Sequence, residues 1–319
     1  KDSTLITPAG ITDISGIVTD GTLLYVADRS SIKSVTSIRA FLYPPAATTP
    51  VISSGSVSTL ATAPEIGAAN GVAVLGGASF AADGTRIVRV DNATGEVSPV
   101  AGQSATSVSS CQSGTNVIFN TSSTTPLRVV GSDGRFVYAT DVCGIRRIDP
   151  GTHAVTMLAL NGNFTSRTAS VSIAGKWMYV VDNYWGYFNR IDLDSGVSTR
   201  IGGDQRYFAA VAADDNYIWM VNSDTLFQIN PDTGAFLNSW PVNINGNAPS
   251  ALLSVGGYLY AAQYGPGNAY PTLVRITKSG ATAGTSTTIA GAGLVDITGI
   301  NTDGNRLYVA DRGGVKTVA

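Results

Sequence analysis

Oxygen-bearing side chains recur at one point of a repeating pattern in this sequence, and they are the first candidates for chemistry. Asp28, Asp83, Asp141, Asp182, Asn222, Gln263 and Asp311 each end a short apolar run such as LYVAD, VYATD or IWMVN. Drawn into a ring, such oxygens suit a hard cation, with Ca²⁺ the natural choice, or a polar ligand. The plainer reading is an Asx-type hydrogen bond to the backbone of the following turn, repeated because the turn is repeated.

Other catalytic devices are scarce. His153 is the single histidine, and Glu65 and Glu96 are the only glutamates. A Ser-His-Asp triad, a His-based zinc site or a His-based lyase needs imidazole within bonding reach of the substrate, and His153 falls in a turn, DPGTH. The sequence contains no GxSxG, no phosphate loop and no DxDxDG calcium loop. No cofactor is implied beyond an optional Ca²⁺, and no metal ligand set is identified.

The elements that would position these residues are short strands. Each unit opens with an apolar strand closed by a turn dipeptide, as in Gly16–Gly21, Asn70–Gly77 or Gly299–Gly304. Asp-Gly and Gly-Gly at that offset supply the positive φ that a two-residue hairpin requires. A second strand ends in the polar residue, and a third has the form Ile-Arg-Arg-Ile-Asp. A second hairpin signal such as DNATG, DLDSG or NPDTG then leads to a fourth strand. Seven such units begin near residues 15, 69, 127, 169, 208, 249 and 297, about 46 residues apart, the period of propeller blades. The expectation is an all-β, single-domain, seven-bladed β-propeller over residues 1–319.

The two ends of the chain echo each other. STLITPAGITDISGIVTDGTLLYVADRSSIKSV at Ser3–Val35 aligns without gaps with STTIAGAGLVDITGINTDGNRLYVADRGGVKTV at Ser286–Val318. The last unit stops after three strands, so residues 3–8, with Thr4–Thr7 as the strand, are expected to complete the last blade and protect its edge.

The segments Gly16–Asp28 and Gly299–Asp311 resemble the NHL repeat of β-propellers, and the degenerate pattern covers nearly the whole chain. The Asn-x-Arg of that family survives only as Asn189-Arg190. The resemblance implies a propeller. Because lyases and lactonases occur among related propellers, it also keeps a propeller enzyme, or a Ca-dependent hydrolase using Asp at the channel mouth, as the alternative function. Most of those enzymes use histidines or glutamates that this chain lacks.

In a four-stranded blade the second-to-third loops and the blade-to-blade loops share one face. Insertions there bring Tyr184, Trp185, Arg206, Tyr207, Tyr264 and Tyr270 toward one sector, where aromatics with polar tips could stack on sugars or anchor a protein. The alternative is loops packed on one another. Trp177, Trp219 and Trp240 fall within strands and are read as blade packing. Cys111 and Cys143 fall on the same face of one blade, which makes a disulfide the preferred reading and two free thiols the alternative.

Asn92, Asn120 and Asn163 begin N-x-Ser/Thr triplets, which arise by chance in so Asn-, Ser- and Thr-rich a chain. A net charge of -2 with no basic block argues against nucleic acid, and no apolar run approaches the eighteen or so residues of a membrane span. The chain therefore reads as an extracellular or cell-surface recognition or scaffolding module for a glycan or protein. Ends that meet in one blade also suit a part of a larger surface polypeptide.

Overall fold

The strand pattern is realised throughout. The computed structural model describes residues 14–19, 24–28, 31–35, 56–62, 65–103, 111–122, 125–160, 168–182, 187–203, 210–222, 224–244, 249–263 and 271–319. The chain divides into two compact units, Lys1–Pro44 and Pro45–Ala319. The first holds one antiparallel sheet of β1 (Ile14–Thr19), β2 (Leu24–Asp28) and β3 (Ser31–Val35).

The second unit begins with β4 (Val57–Ala61) and continues through five blades whose four strands pair in chain order. Blade I is β5 (Ala69–Leu75), β6 (Ala78–Asp83), β7 (Arg86–Asp91) and β8 (Val97–Ala101). Blade II is β9 (Arg128–Ser132), β10 (Val137–Asp141), β11 (Gly144–Ile148) and β12 (Val155–Leu160). Blade III is β13 (Thr168–Ala174), β14 (Trp177–Asp182), β15 (Tyr187–Asp192) and β16 (Ser198–Gly203). Blade IV is β17 (Ala210–Ala213), β18 (Ile218–Val221), β19 (Thr225–Ile229) and β20 (Phe236–Pro241). Blade V is β21 (Ala251–Val255), β22 (Tyr258–Gln263), β23 (Thr272–Thr277) and β24 (Ser286–Ala290).

Blade VI corrects the expected count and the expected closure. Its inner strands are β25 (Ile297–Thr302), β26 (Leu307–Asp311) and β27 (Gly314–Val318), and its fourth strand is β4, not Thr4–Thr7. The propeller has six blades, not seven. The N-terminal repeat stands as the three-stranded sheet outside that count, and residues 3–8 lie outside the described residues. The physical reason is that β25 lies directly on β5: a Cβ at Gly299 would stand 2.7 Å from Gly71 Cα, so no blade separates VI from I.

Among the described residues six hydrophobic clusters, one at each contact between neighbouring blades, form the core. Strand alternation explains how one strand serves two of them. In β22, Leu259 and Ala261 pack toward blade IV, while Tyr260 and Ala262 pack toward blade VI. Middle strands therefore read as unbroken apolar runs, whereas the outer strand β20 is mostly exposed. Every blade carries a register irregularity between its third and fourth strands, which adds the twist a radial arrangement needs. At the second hairpin Gly234 (φ 70°) presses on the preceding blade, where a Cβ would meet the Ile201 carbonyl at 1.9 Å.

Candidate functional site

The loop-bearing face is organised by the acids that end the second strands. In blade II the Asp141 carboxylate accepts from Arg146 Nε (3.0 and 3.1 Å) and Nη2 (2.9 Å), and from the amides of Cys143 (2.9 Å) and Asn120 (3.2 Å). Both side chains of this ion pair are fully buried. In blade VI Asp311 accepts from Lys316 Nζ (2.7 Å) and from the amides of Val295 and Gly313. In blade I Asp83 accepts from Arg86 and from the amides of Gly67 and Ala68. Each carboxylate thus ties its own second-to-third corner to the incoming blade-to-blade loop.

Blade II carries the heaviest bracing. Cys111 and Cys143 form a disulfide (Cα–Cα 5.7 Å), as the sequence suggested. Arg146 also donates to the Gln112 carbonyl at 2.6 Å, and Gly114 pairs with Val155 across the backbone. The insertion is therefore stitched to the blade by a covalent bond, a buried cation and a β-bridge. Such a bond is kept in oxidising surroundings, so it points to a non-cytoplasmic compartment. Among the described residues no helix is long and apolar enough to cross a membrane.

At the axis, Arg128 opens β9 on this same face and reaches across the channel mouth. Its Nη2 donates to the carbonyls of Thr298 (2.7 Å) and Ser250 (3.5 Å), and burial pushes its guanidinium pKa below the ordinary value. Asn70 Nδ2 donates to the Leu127 carbonyl at 2.7 Å, while Thr298 Oγ1 donates to Ala69 and accepts from the Gly71 amide. About 350 Å³ of space, open to solvent, lies between inner strands lined by Val72, Arg128, Ser170, Leu252 and Ile300. Blades I, II, V and VI are thereby latched together around the buried Arg128 guanidinium.

The other predicted residues fall as follows. Tyr184, Trp185, Arg206, Tyr207, Tyr264 and Tyr270 lie outside the described residues. Asp28 and Asp182 end β2 and β14, but their side chains lie outside the description. Asn222 caps its turn by accepting from the amides of Asp224 and Thr225. Gln263 is buried, and its Oε1 has no partner among the described residues. Among the described residues no three His, Cys, Asp or Glu side chains are grouped as metal ligands.

His153 lies on the opposite, hairpin face, exposed, with φ 62°, at the turn position that Gly95, Gly196 and Gly234 fill in other blades. Trp219 and Trp240 stack at 6.3 Å, and Trp177 lies under Arg190.

On the hairpin face sequence reasoning missed a repeated pair. Asp133 accepts from Tyr138 Oη (2.7 Å), Asp303 from Tyr308 Oη (2.8 Å) and Asp214 from Trp219 Nε1 (2.8 Å). The signal was present as Asp followed five residues later by Tyr or Trp. Asp214 also accepts from Ser254 Oγ and from Lys278 Nζ (2.7 Å) in the next blade. Burial raises the Asp214 pKa, but Lys278, Trp219 and the Asn216 amide outweigh it and hold the carboxyl below its usual range.

No protein-family model and no curated protein matches the sequence. Solved structures do share the fold. The PQQ-bound aldose sugar dehydrogenase of Streptomyces coelicolor superposes with TM-score 0.54 at 15% identity, covering 85% of this chain and 98% of that one. A structural genomics protein of unknown function from Bacteroides thetaiotaomicron gives TM-score 0.54 at 15% identity over 93% of this chain and 81% of its own. An auxiliary nutrient binding protein of the same organism gives 0.50 at 12% over 80% and 69%. An enzyme and a binding protein thus stand equally among the neighbours, and the likeness establishes a β-propeller without selecting an activity or an NHL subfamily.

Proposed function

We propose that this protein is a non-catalytic recognition module, extracellular or on a cell surface, that holds a glycan or a protein partner on its loop-bearing face. One observation carries this reading. Asp83, Asp141 and Asp311 each commit both oxygens to a cation and to backbone amides, so the face is built as a braced platform. A general acid or base needs a proton it can exchange with substrate, and oxygens locked in this way hold loops instead. On this reading the ligand is held by Tyr184, Trp185, Arg206, Tyr207, Tyr264 and Tyr270, which the sequence puts after the second strands of blades III and V and ahead of blade IV.

The test is a glycan array and a pull-down with the wild type and a Trp185→Ala, Tyr264→Ala double variant. Specific capture should fall at least tenfold in the variant with the melting temperature unchanged, and EDTA should leave wild-type capture intact. Undiminished capture by the double variant would remove the aromatic sector from the proposal.

A further inference from the structure

Three blades build a cation into the same corner. The acid that ends the second strand is met by a cation from the third: Asp141 by Arg146, Asp311 by Lys316 and Asp83 by Arg86. Each cation also donates to a carbonyl of the loop that enters its blade, at Gln112, Gly293 and Glu65 respectively. The corner is thus a set of oxygens gathered around one positive charge.

Blade V keeps oxygens at this corner, but its third strand brings no cation to them. Its second strand ends in Gln263, which faces Thr272 across β22 and β23 as Asp141 faces Gly144 and Asp311 faces Gly314. Arg146 and Lys316 stand opposite Ala139 and Val309, two residues before the acid, and the matching residue in blade V is Val274, opposite Ala261. Arg86 stands directly opposite Asp83, and there blade V has Thr272.

Gln263 and Thr272 share one side of the sheet. Leu259, Ala261, Val274 and Ile276 pack in the cluster between blades IV and V, and strand alternation puts Gln263 and Thr272 on that same side. Gln263 is 1% exposed. Its Oε1 and the Oγ1 of Thr272 are both buried, and neither has a hydrogen-bond partner among the described residues. Buried acceptors left bare are costly, so the pair calls for a donor or a cation from outside the blade. Both oxygens are neutral, whereas Ca²⁺ and Mg²⁺ sites draw on carboxylates. An amide carbonyl and a hydroxyl suit the single charge that Arg or Lys supplies in the sister blades.

We propose that Gln263 and Thr272 bind a compact monovalent cation, an alkali ion or a primary ammonium group, at the corner that blades I, II and VI close with their own side chains.

The test compares melting temperatures of the full chain in sodium, potassium, methylammonium and tetramethylammonium chloride at equal ionic strength. Tetramethylammonium has no N–H and keeps its charge behind four methyl groups. At least one of the other three should raise the melting temperature by about 2–4 °C over it, and saturably. An effect of sodium or potassium alone assigns the site to a free ion, and an effect of methylammonium alone assigns it to the amine end of a ligand. Equal melting temperatures in all four salts overturn the proposal.

Two variants separate binding from general salt effects. Gln263→Met with Thr272→Val replaces both acceptors by apolar groups of similar size, so it should melt at or above the wild type in tetramethylammonium and lose the difference between salts. A spread as wide as that of the wild type would dismiss the site. Gln263→Asp with Val274→Lys copies the pair Asp311 and Lys316 into blade V and should make the melting temperature indifferent to the cation supplied. A dependence that persists there also counts against the site.

Discussion

The two ends of each blade use aspartate in opposite ways. At the loop end Asp141, Asp311 and Asp83 reach cations and incoming loops, and in blade II the ion pair is sealed from water. At the hairpin end Asp91, Asp149 and Asp192 accept from amides two and three residues ahead and Asn230 does the same, while among the described residues Asp214 and Asp232 reach a neighbouring blade, through Lys278 and Arg190. Local bonds of the second kind rigidify a turn and little else. Long-range bonds of the first kind decide how blades and insertions meet.

The largest effect should come from Asp141→Ala. It strands Arg146 as a buried charge and should cost about 3–5 kcal/mol, read by chemical denaturation. A loss below about 1 kcal/mol would show that the two ends are equivalent. Next, replacing Cys111 and Cys143 by Ser opens a link across 32 residues and should cost about 2–4 kcal/mol. Protease cleavage within the insertion should rise in parallel.

Titration probes the hairpin end directly. Burial first, and then the hydrogen bond to Asp303, pushes the Tyr308 hydroxyl up to about 12 from 10.0. Its folded pKa exceeds its unfolded one, so the stability it confers is complete below about pH 10 and is lost as pH climbs toward about 12. Tyr308→Phe should cost about 1–2 kcal/mol at pH 8 and flatten the decline over that alkaline window. A decline of unchanged steepness in the variant would assign it elsewhere.

Asp91, Asp149, Asp192, Asp214 and Asp303, all at the hairpin end, have carboxyl pKa values below 3.8. For Asp91 the Ala93 amide is the main cause; in the others desolvation opposes and hydrogen bonds prevail. Stability from these groups is present above about pH 4 and falls as acid protonates them in the folded state. The smallest effect expected is a gain. His153→Gly relieves a left-handed backbone and should stabilise by a few tenths to about 1 kcal/mol.

Much of this was legible in the sequence because it is local. Turn dipeptides, alternation and the polar end of LYVAD specify hairpins within one blade, and Cys111 and Cys143 fall together once those hairpins are drawn. The blade count was not legible, since the sequence around β3 echoes that around β27 and only β27 pairs with Val57–Ala61. The seating of Gly299 directly on Gly71 becomes visible only in three dimensions. The bond from Lys278 to Asp214 escaped for a similar reason: it joins residues 64 apart, in different blades, with no spacing rule to announce it. The aromatic sector depends on residues beyond the described ones.

The pairing of β4 with β27 has a consequence for synthesis. Val57 must find Val318, so the ring stays a broken circle until the chain through Val318 has left the ribosome. Until then Val57–Ala61 and the inner side of blade I are waiting, unpaired apolar surfaces, and contacts of such long sequence separation form slowly. A nascent chain stalled anywhere short of β27 should be a chaperone client, however well its earlier blades have formed.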